Sequence, residues 1–202
     1  MLFRSLIGEP APAGGVPVTV TSNSSSLRVA GSETAAGAGS VTVTIPAGQT
    51  STIFYVHGLG SSGAPTFSCS APGYPSSTRT VNLMPSGVVI AGMFGLGFPH
   101  WPSLAAGPSP LTISTAILDP ASSAFLVKQP LAGGLSIPVS LTNSNPGAGT
   151  VPATATLLGG TENTAVTFTP LVANTSTIVG VTQPPNFTQP SNYTTVAVQV
   201  QP

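Results

Sequence analysis

The chain has 202 residues, enough for one large or two ordinary domains, and 41% of them are hydrophobic, enough to build a core. Only 4% are charged, with four basic residues (Arg4, Arg28, Arg79, Lys128) balancing four acidic ones (Glu9, Glu33, Asp119, Glu162), where an ordinary domain carries about a quarter. With no basic patch to neutralise phosphates, this composition excludes nucleic-acid binding and electrostatic docking on a membrane. The exposed face has to be Ser, Thr, Asn, Gln and Gly, and zero net charge leaves little repulsion between copies. Either glycans solubilise such a surface or association is its purpose.

In chain order, Met1–Pro10 lacks the apolar central stretch of a signal peptide, and Leu2 to Ile7 has room for one short strand. Alternating apolar positions then predict strands at Val16, Val18 and Val20; at Val41, Val43 and Ile45; at Phe54 and Val56; at Phe67 and Cys69; and at Val81 and Leu83. Between two of these lies His57-Gly58-Leu59-Gly60-Ser61-Ser62-Gly63, which satisfies the G-x-G-x-x-G spacing of dinucleotide-binding loops. That motif needs a helix after it, and the period-two segment Phe67-Ser68-Cys69-Ser70-Ala71 follows instead. The stretch therefore reads as a hairpin loop whose glycines supply positive φ.

Cys69, the only cysteine, excludes an intrachain disulfide, and its alternation with Phe67 and Ala71 reads as a small buried apolar residue. The longest apolar run, Gly87 to Phe98, is twelve residues and glycine-rich, too short for a bilayer, which takes about twenty; no membrane insertion is expected. Gly92 to Pro110 follows, carrying Phe94, Phe98, His100 and the only tryptophan, Trp101, braced by Pro99 and Pro102. These aromatics read as packing at a domain junction or as an exposed anchor for a neighbouring subunit, with sugar stacking a third reading. Beyond them, strands are predicted at Leu111 and Ile113; at Phe125 to Val127; at Ile137, Val139 and Leu141; at Val166 and Phe168; at Ile178 to Val181; and at Val196, Val198 and Val200.

The two series repeat in order with a period of roughly 115 residues. Ala13-Gly14-Gly15-Val16 matches Ala132-Gly133-Gly134-Leu135, Ala47-Gly48 matches Gly159-Gly160, and Ala71-Pro72-Gly73-Tyr74-Pro75 matches Pro184-Pro185-Asn186-Phe187. The pattern predicts an all-β protein of two tandem immunoglobulin-like antiparallel sandwiches. Their bounds are 1–91 and 111–202, with 92–110 as the junction. Aligned this way, Leu2 to Ile7 corresponds to Phe125 to Val127, and nothing in the first copy corresponds to Leu111–Leu118. The first sandwich thus lacks its first strand, and Leu2, Phe3, Leu6 and Ile7 border an open edge. Two explanations stand: the chain starts late and the domain tolerates it, or a neighbouring subunit donates the strand.

The segments Gly39–Val56 (GSVTVTIPAGQTSTIFYV), Ser70–Tyr74 (SAPGY) and Pro130–Pro146 (PLAGGLSIPVSLTNSNP) resemble bacterial immunoglobulin-like repeats of the Big type. That resemblance implies tandem sandwiches in secreted or cell-surface proteins, serving as stalks, spacers, adhesins or filament components. It carries over no catalytic residues, and a sandwich fold alone does not specify a role.

Chemistry-bearing residues are sparse. His57 and His100 lack a Cys, Asp, Glu or His at metal-ligand spacing and read as surface or hairpin-end histidines. Ser61 and Ser62 fail the G-x-S-x-G nucleophile elbow. Asp119 before Pro120 reads as a turn starter, Glu162 as a hairpin residue, and four scattered acids do not make a calcium site. A cross-link of Lys128 to Asn192, assisted by Asp119 or Glu162, is a minor alternative. Sequons at Asn23, Asn174, Asn186 and Asn192 are candidate glycosylation sites. The expectation is a non-catalytic structural protein of the bacterial exterior, without cofactors, whose partners are further copies of itself or neighbouring domains of a longer surface protein. The alternative is a glycan- or host-surface-binding module built on Trp101, His100 and Tyr74.

Overall fold

A computed structural model describes all residues, Met1–Pro202. The chain forms antiparallel β-sheets and no helix, as the period-two alternation and the density of Pro and Gly require. It divides into two compact units, Met1–Met84 with Ala132–Leu135, and Pro85–Leu131 with Ser136–Pro202. The division falls at Met84/Pro85 rather than after residue 91, so the whole Gly92–Pro110 segment belongs to the second unit instead of forming a separate junction.

The first unit contains β1 (Leu2–Leu6), β2 (Val16–Ser22), β3 (Leu27–Ala30), β4 (Ser40–Ile45), β5 (Ser51–Gly58), β6 (Thr66–Ala71) and β7 (Tyr74–Thr80). They make two sheets, β1-β5-β3 and β4-β2-β6-β7. Val16, Val18 and Val20 on β2 point inward at every second position, against Leu27, Ile45, Val56 and an aromatic trio. Phe3 stacks on Phe54 (5.8 Å between centroids) and meets Phe67 edge-on (4.9 Å), while Phe54 and Phe67 are edge-on at 5.6 Å. Such pairs add about 0.5–1.5 kcal/mol each beyond the area they bury.

Those contacts correct the hairpin reading of His57–Gly63. Strands β5 and β6 lie in different sheets, so Gly58-Leu59-Gly60-Ser61-Ser62-Gly63 carries the chain across the sandwich, which lets Phe54 and Phe67 meet in the core. The Pro46-Ala47-Gly48 turn likewise joins β4 and β5 in opposite sheets. Within the first unit only the Ala71–Tyr74 turn closes a hairpin, with Ala71 paired to Tyr74 and Gly73 at φ +79°.

The second unit contains β8 (Ser86–Ala91), β9 (Ser109–Leu118), β10 (Phe125–Lys128), β11 (Ser136–Asn143), β12 (Gly149–Thr150), β13 (Thr154–Leu158), β14 (Asn163–Pro170), β15 (Ser176–Thr182) and β16 (Thr195–Gln199). One sheet runs β10-β9-β14-β12, with β8 paired to β9, and the other runs β13-β11-β15-β16. The core is again fed by alternation: Leu111 and Ile113 on β9, Val166 and Phe168 on β14, Val179 and Val181 on β15, Val196 and Val198 on β16.

Hydrogen bonds fix the correspondence between the units. Ile7 N–H donates to the Thr50 carbonyl (2.9 Å) as Thr115 N–H does to Glu162 (2.9 Å). Ala11 N–H donates to Gln49 (2.8 Å) as Leu131 N–H does to Thr161 (2.9 Å), and Gly48 N–H donates to Ala11 (2.9 Å) as Gly160 N–H does to Leu131 (2.8 Å). Strand β1 pairs antiparallel with β5 as β9 pairs with β14. The equivalent of Leu2–Leu6 is therefore β9, not Phe125–Val127; in the second unit the preceding strand β8 also pairs with it. Register also slides the Gly-Gly match: Val16 faces Ile45 as Ile137 faces Leu157, while Leu135 is exposed.

Candidate functional site

Strand β1 is the edge of its sheet. It pairs with β5 on one side only, and in the antiparallel ladder the residues alternating with Phe3 and Ser5 turn their N–H and C=O groups outward. Those residues are Leu2, Arg4 and Leu6. Leu2 and Leu6 also expose their side chains, by 53% and 70%, beside Ile53 on the neighbouring strand. Of the four residues expected at the edge, Phe3 and Ile7 instead pack against the core. A paired strand alternates faces, so only every second residue can stay outside.

In the second unit the same position is covered. Strand β8 pairs with β9 from Ser86↔Ile117 to Ala91↔Thr112, burying Val88 and Ile90 in the main core. On the opposite face Val89 joins Ala116, Leu118, Leu96, Phe125 and Tyr193 in a second apolar cluster, where Phe125 and Tyr193 meet edge-on at 5.9 Å. The far side of β8 is held as well. Gln183 accepts from Val88 N–H (2.7 Å) and donates to its carbonyl (2.8 Å), and Ile90 N–H donates to Tyr193 (2.8 Å). Gly87 must be glycine, since a Cβ there would stand 2.7 Å from Pro190, 2.8 Å from Leu118 and 2.9 Å from the Thr188 carbonyl. The apolar run from Gly87, weighed for its length against a bilayer, carried this strand in its β-branched Val88-Val89-Ile90.

The aromatic segment covers the other sheet's edge. His100 N–H donates to Ala197 (2.8 Å) and its carbonyl accepts from Gln199 N–H (2.9 Å), so the segment runs parallel beside β16, and Ser103 continues the contact opposite Gln201. The expectation of surface histidines is overturned at both positions: His100 is fully buried and His57 on β5 nearly so. Met93 N–H donates to His100 Nδ1 (3.2 Å), the ring stands edge-on to Phe168 at 6.4 Å, and Nε2 has no partner. Burial pushes the His100 pKa down. It does the same at His57, helped by the N-terminal amine and opposed by the Glu33 carboxylate. The His100 ring packs against the second core through Phe168, whereas His57, next in β5 to the inward Val56, is buried on the opposite face beside Gly133; the sequence does not distinguish either position from an exposed one.

Phe94, Phe98 and Trp101 stay 56%, 59% and 45% exposed, with Phe94 edge-on to Trp101 at 5.5 Å. Beside Trp101 lies an open groove of about 650 Å³, lined among others by Pro99, Ile178, Ser144, Ser176 and Gln199. Of the other residues in the alternative binding constellation, His100 is enclosed and Tyr74 sits at the β6–β7 turn of the first unit.

Other candidates fall into place singly. Asp119 starts a turn as expected, its carboxylate accepting from Ala121 N–H (3.0 Å), Ser122 N–H (2.8 Å) and the Ser122 hydroxyl (2.8 Å); these bonds hold its pKa low. Cys69 is half-buried against the core, and burial raises its thiol pKa. Asn23, Asn174 and Asn186 are exposed, whereas Asn192 is half-buried with its side-chain oxygen accepting from Phe125 N–H (3.0 Å). No three His, Cys, Asp or Glu side chains stand together in a way that could hold a metal ion.

No family model and no curated protein matches the chain. Among solved structures it is similar to the S-layer protein SbsC domains 4 and 5, at 11% identity and a TM-score of 0.40, over 100% of this chain and 98% of that one.

Proposed function

We propose that this chain is a structural, non-catalytic segment of a bacterial extracellular stalk, adhesin or filament, and that it associates through the open edge of its first sandwich. The observation that carries the reading is the bare outer side of β1, with Leu2 and Leu6 exposed beside unpaired backbone groups, a template for pairing with another strand. A surface with four acids and four bases in 202 residues offers little repulsion against such contact. The non-catalytic part rests on the scatter of titratable groups and on two histidines committed to packing. Sedimentation at rising concentration, with electron microscopy of the same sample, tests it. Oligomers or filaments are expected, and a monomer at every concentration overturns self-assembly.

A second reading, glycan binding, is favoured by the groove beside Trp101, where an exposed indole adjoins neutral hydroxyl and amide groups. Binding to a glycan array that Trp101→Ala removes would support it. A blank array would reject it.

A further inference from the structure

We propose that the groove beside Trp101 receives an uncharged pyranose chain, one ring of which stacks on the indole while its hydroxyls bond the Gln199 amide and the Ser176 hydroxyl. The proposal deepens the glycan-binding reading and rests on it. The groove follows from backbone register. His100 lies parallel to and opposite Val198, and both are buried, so the residues on either side of each turn to the outer face. Strand β15 pairs with β16 through Ser176↔Gln199 and Ile178↔Ala197. Two rows therefore run across β15, β16 and the 99–101 segment: Ser176-Gln199-Trp101 and Ile178-Ala197-Pro99. In the second row the small Ala197 lies between two larger apolar side chains, which opens the floor of the groove. Its volume of about 650 Å³ suits a small ligand, for which sites usually measure about 300–1,000 Å³.

The first row keeps its side chains for a ligand. Ser176 gives the fold its carbonyl, which accepts from the Asn145 side-chain amide (3.1 Å). Gln199 gives its N–H to the His100 carbonyl (2.9 Å) and its own carbonyl to the Gln201 side-chain amide (3.3 Å). The Ser176 hydroxyl and the Gln199 amide stay exposed, and the amide offers a donor and an acceptor together, which matches two neighbouring sugar hydroxyls. Trp101, held edge-on by Phe94, adds an apolar face for the C–H side of a ring. Charge then selects the class of sugar. The second unit has only Lys128, Asp119 and Glu162 as charged residues, and all three lie in or next to strands of the other sheet, β10-β9-β14. A carboxylated, sulfated or phosphorylated sugar would give up hydration in the groove with no cation to pair with, whereas a neutral ring carries no such cost.

Trp101 is the only tryptophan, so its fluorescence reports on the groove directly. The full chain is titrated with soluble oligosaccharides of β-linked glucose, β-linked N-acetylglucosamine and α-linked mannose, and with oligogalacturonate as the anionic probe. A saturable change in emission is expected with at least one neutral oligosaccharide and not with oligogalacturonate, and it should be the same at low and high salt. In calorimetry with the same sugar, Trp101→Ala should abolish binding, Gln199→Ala should weaken it about tenfold, and Thr42→Ala in the first unit should leave it unchanged. Gln199 is exposed, so its variant decides even if Trp101→Ala loosens the segment. Binding of oligogalacturonate that Trp101→Ala removes would overturn the neutral class and spare the glycan reading. Neutral binding that survives both substitutions lies elsewhere and overturns the inference, again sparing glycan binding. An emission change on concentrating the chain without sugar would assign the groove to a second copy and overturn it too. No response to any of these oligosaccharides overturns the inference, and a blank glycan array as well overturns the reading on which it rests.

Discussion

The two sandwiches are built from the same ordered strands, yet one is closed where the other is bare. In the second, residues from Pro85 to Ser103 lay β8 along β9 and a parallel stretch along β16. In the first, the equivalent strands β1 and β7 each have one sheet neighbour, and every residue of β7 is exposed. A sheet core needs its inward residues buried, and both units meet that with Phe54 and Phe67, or with Leu157 and Phe168. Covering the outer side of the same strands is a separate matter, done in the second unit by β8. That face is a small apolar core in one unit and an exposed Leu2–Leu6 strip in the other.

Mutations should separate the two. The largest effect is expected from Phe54→Ala, which removes the centre of the aromatic trio and should cost about 3–5 kcal/mol. In calorimetry it should lower the melting of the first unit alone; a single transition that moves as a whole would show that the units do not unfold separately. Next, Ile90→Ala in the covering strand should cost the second unit about 2–4 kcal/mol, whereas Leu6→Ala on the bare strip should stay within about 0.5 kcal/mol. Equal losses in denaturant titrations would mean that the strip is not bare in solution. Gly87→Val should cost about 1–3 kcal/mol by forcing apart Pro190 and Leu118.

The smallest effect concerns pH. His100 is held neutral because burial depresses its pKa, while the unfolded chain titrates near the ordinary value of about 6.5. Below that value the unfolded state binds a proton that the folded state refuses, so the second unit should lose stability as pH falls from 7 toward 5. His100→Gln should flatten that slope in melts of the second unit. His57 acts in the same direction in the first unit, with Glu33 opposing the depression.

Much of the fold was readable from local pattern. Val16-Val18-Val20 and Val196-Val198-Val200 alternate because successive side chains of a strand point to opposite faces, and that spacing carries both the strand and its inward residues. The matched Gly48 and Gly160, at φ +77° and +83°, were legible as turns because glycine adopts that backbone conformation without a Cβ clash. The seven-residue connection Leu59–Pro65 also held a signal against a tight hairpin, since hairpin loops usually have two to five residues. The strand character of Val88-Val89-Ile90 was present too, masked by flanking glycines.

What the chain could not disclose residue by residue was the choice of neighbour. Whether β6 lies beside β5 or across from it, whether His100 enters a core, and whether Leu2–Leu6 matches β9 or β10 depend on pairings between segments far apart in sequence. The free energy of a strand pairing is set by what its two faces bury, and that quantity exists only once the sheets have met. Alternation therefore determined the strands and their inward faces, and tertiary packing alone decided which strands became neighbours and which side chains entered a core.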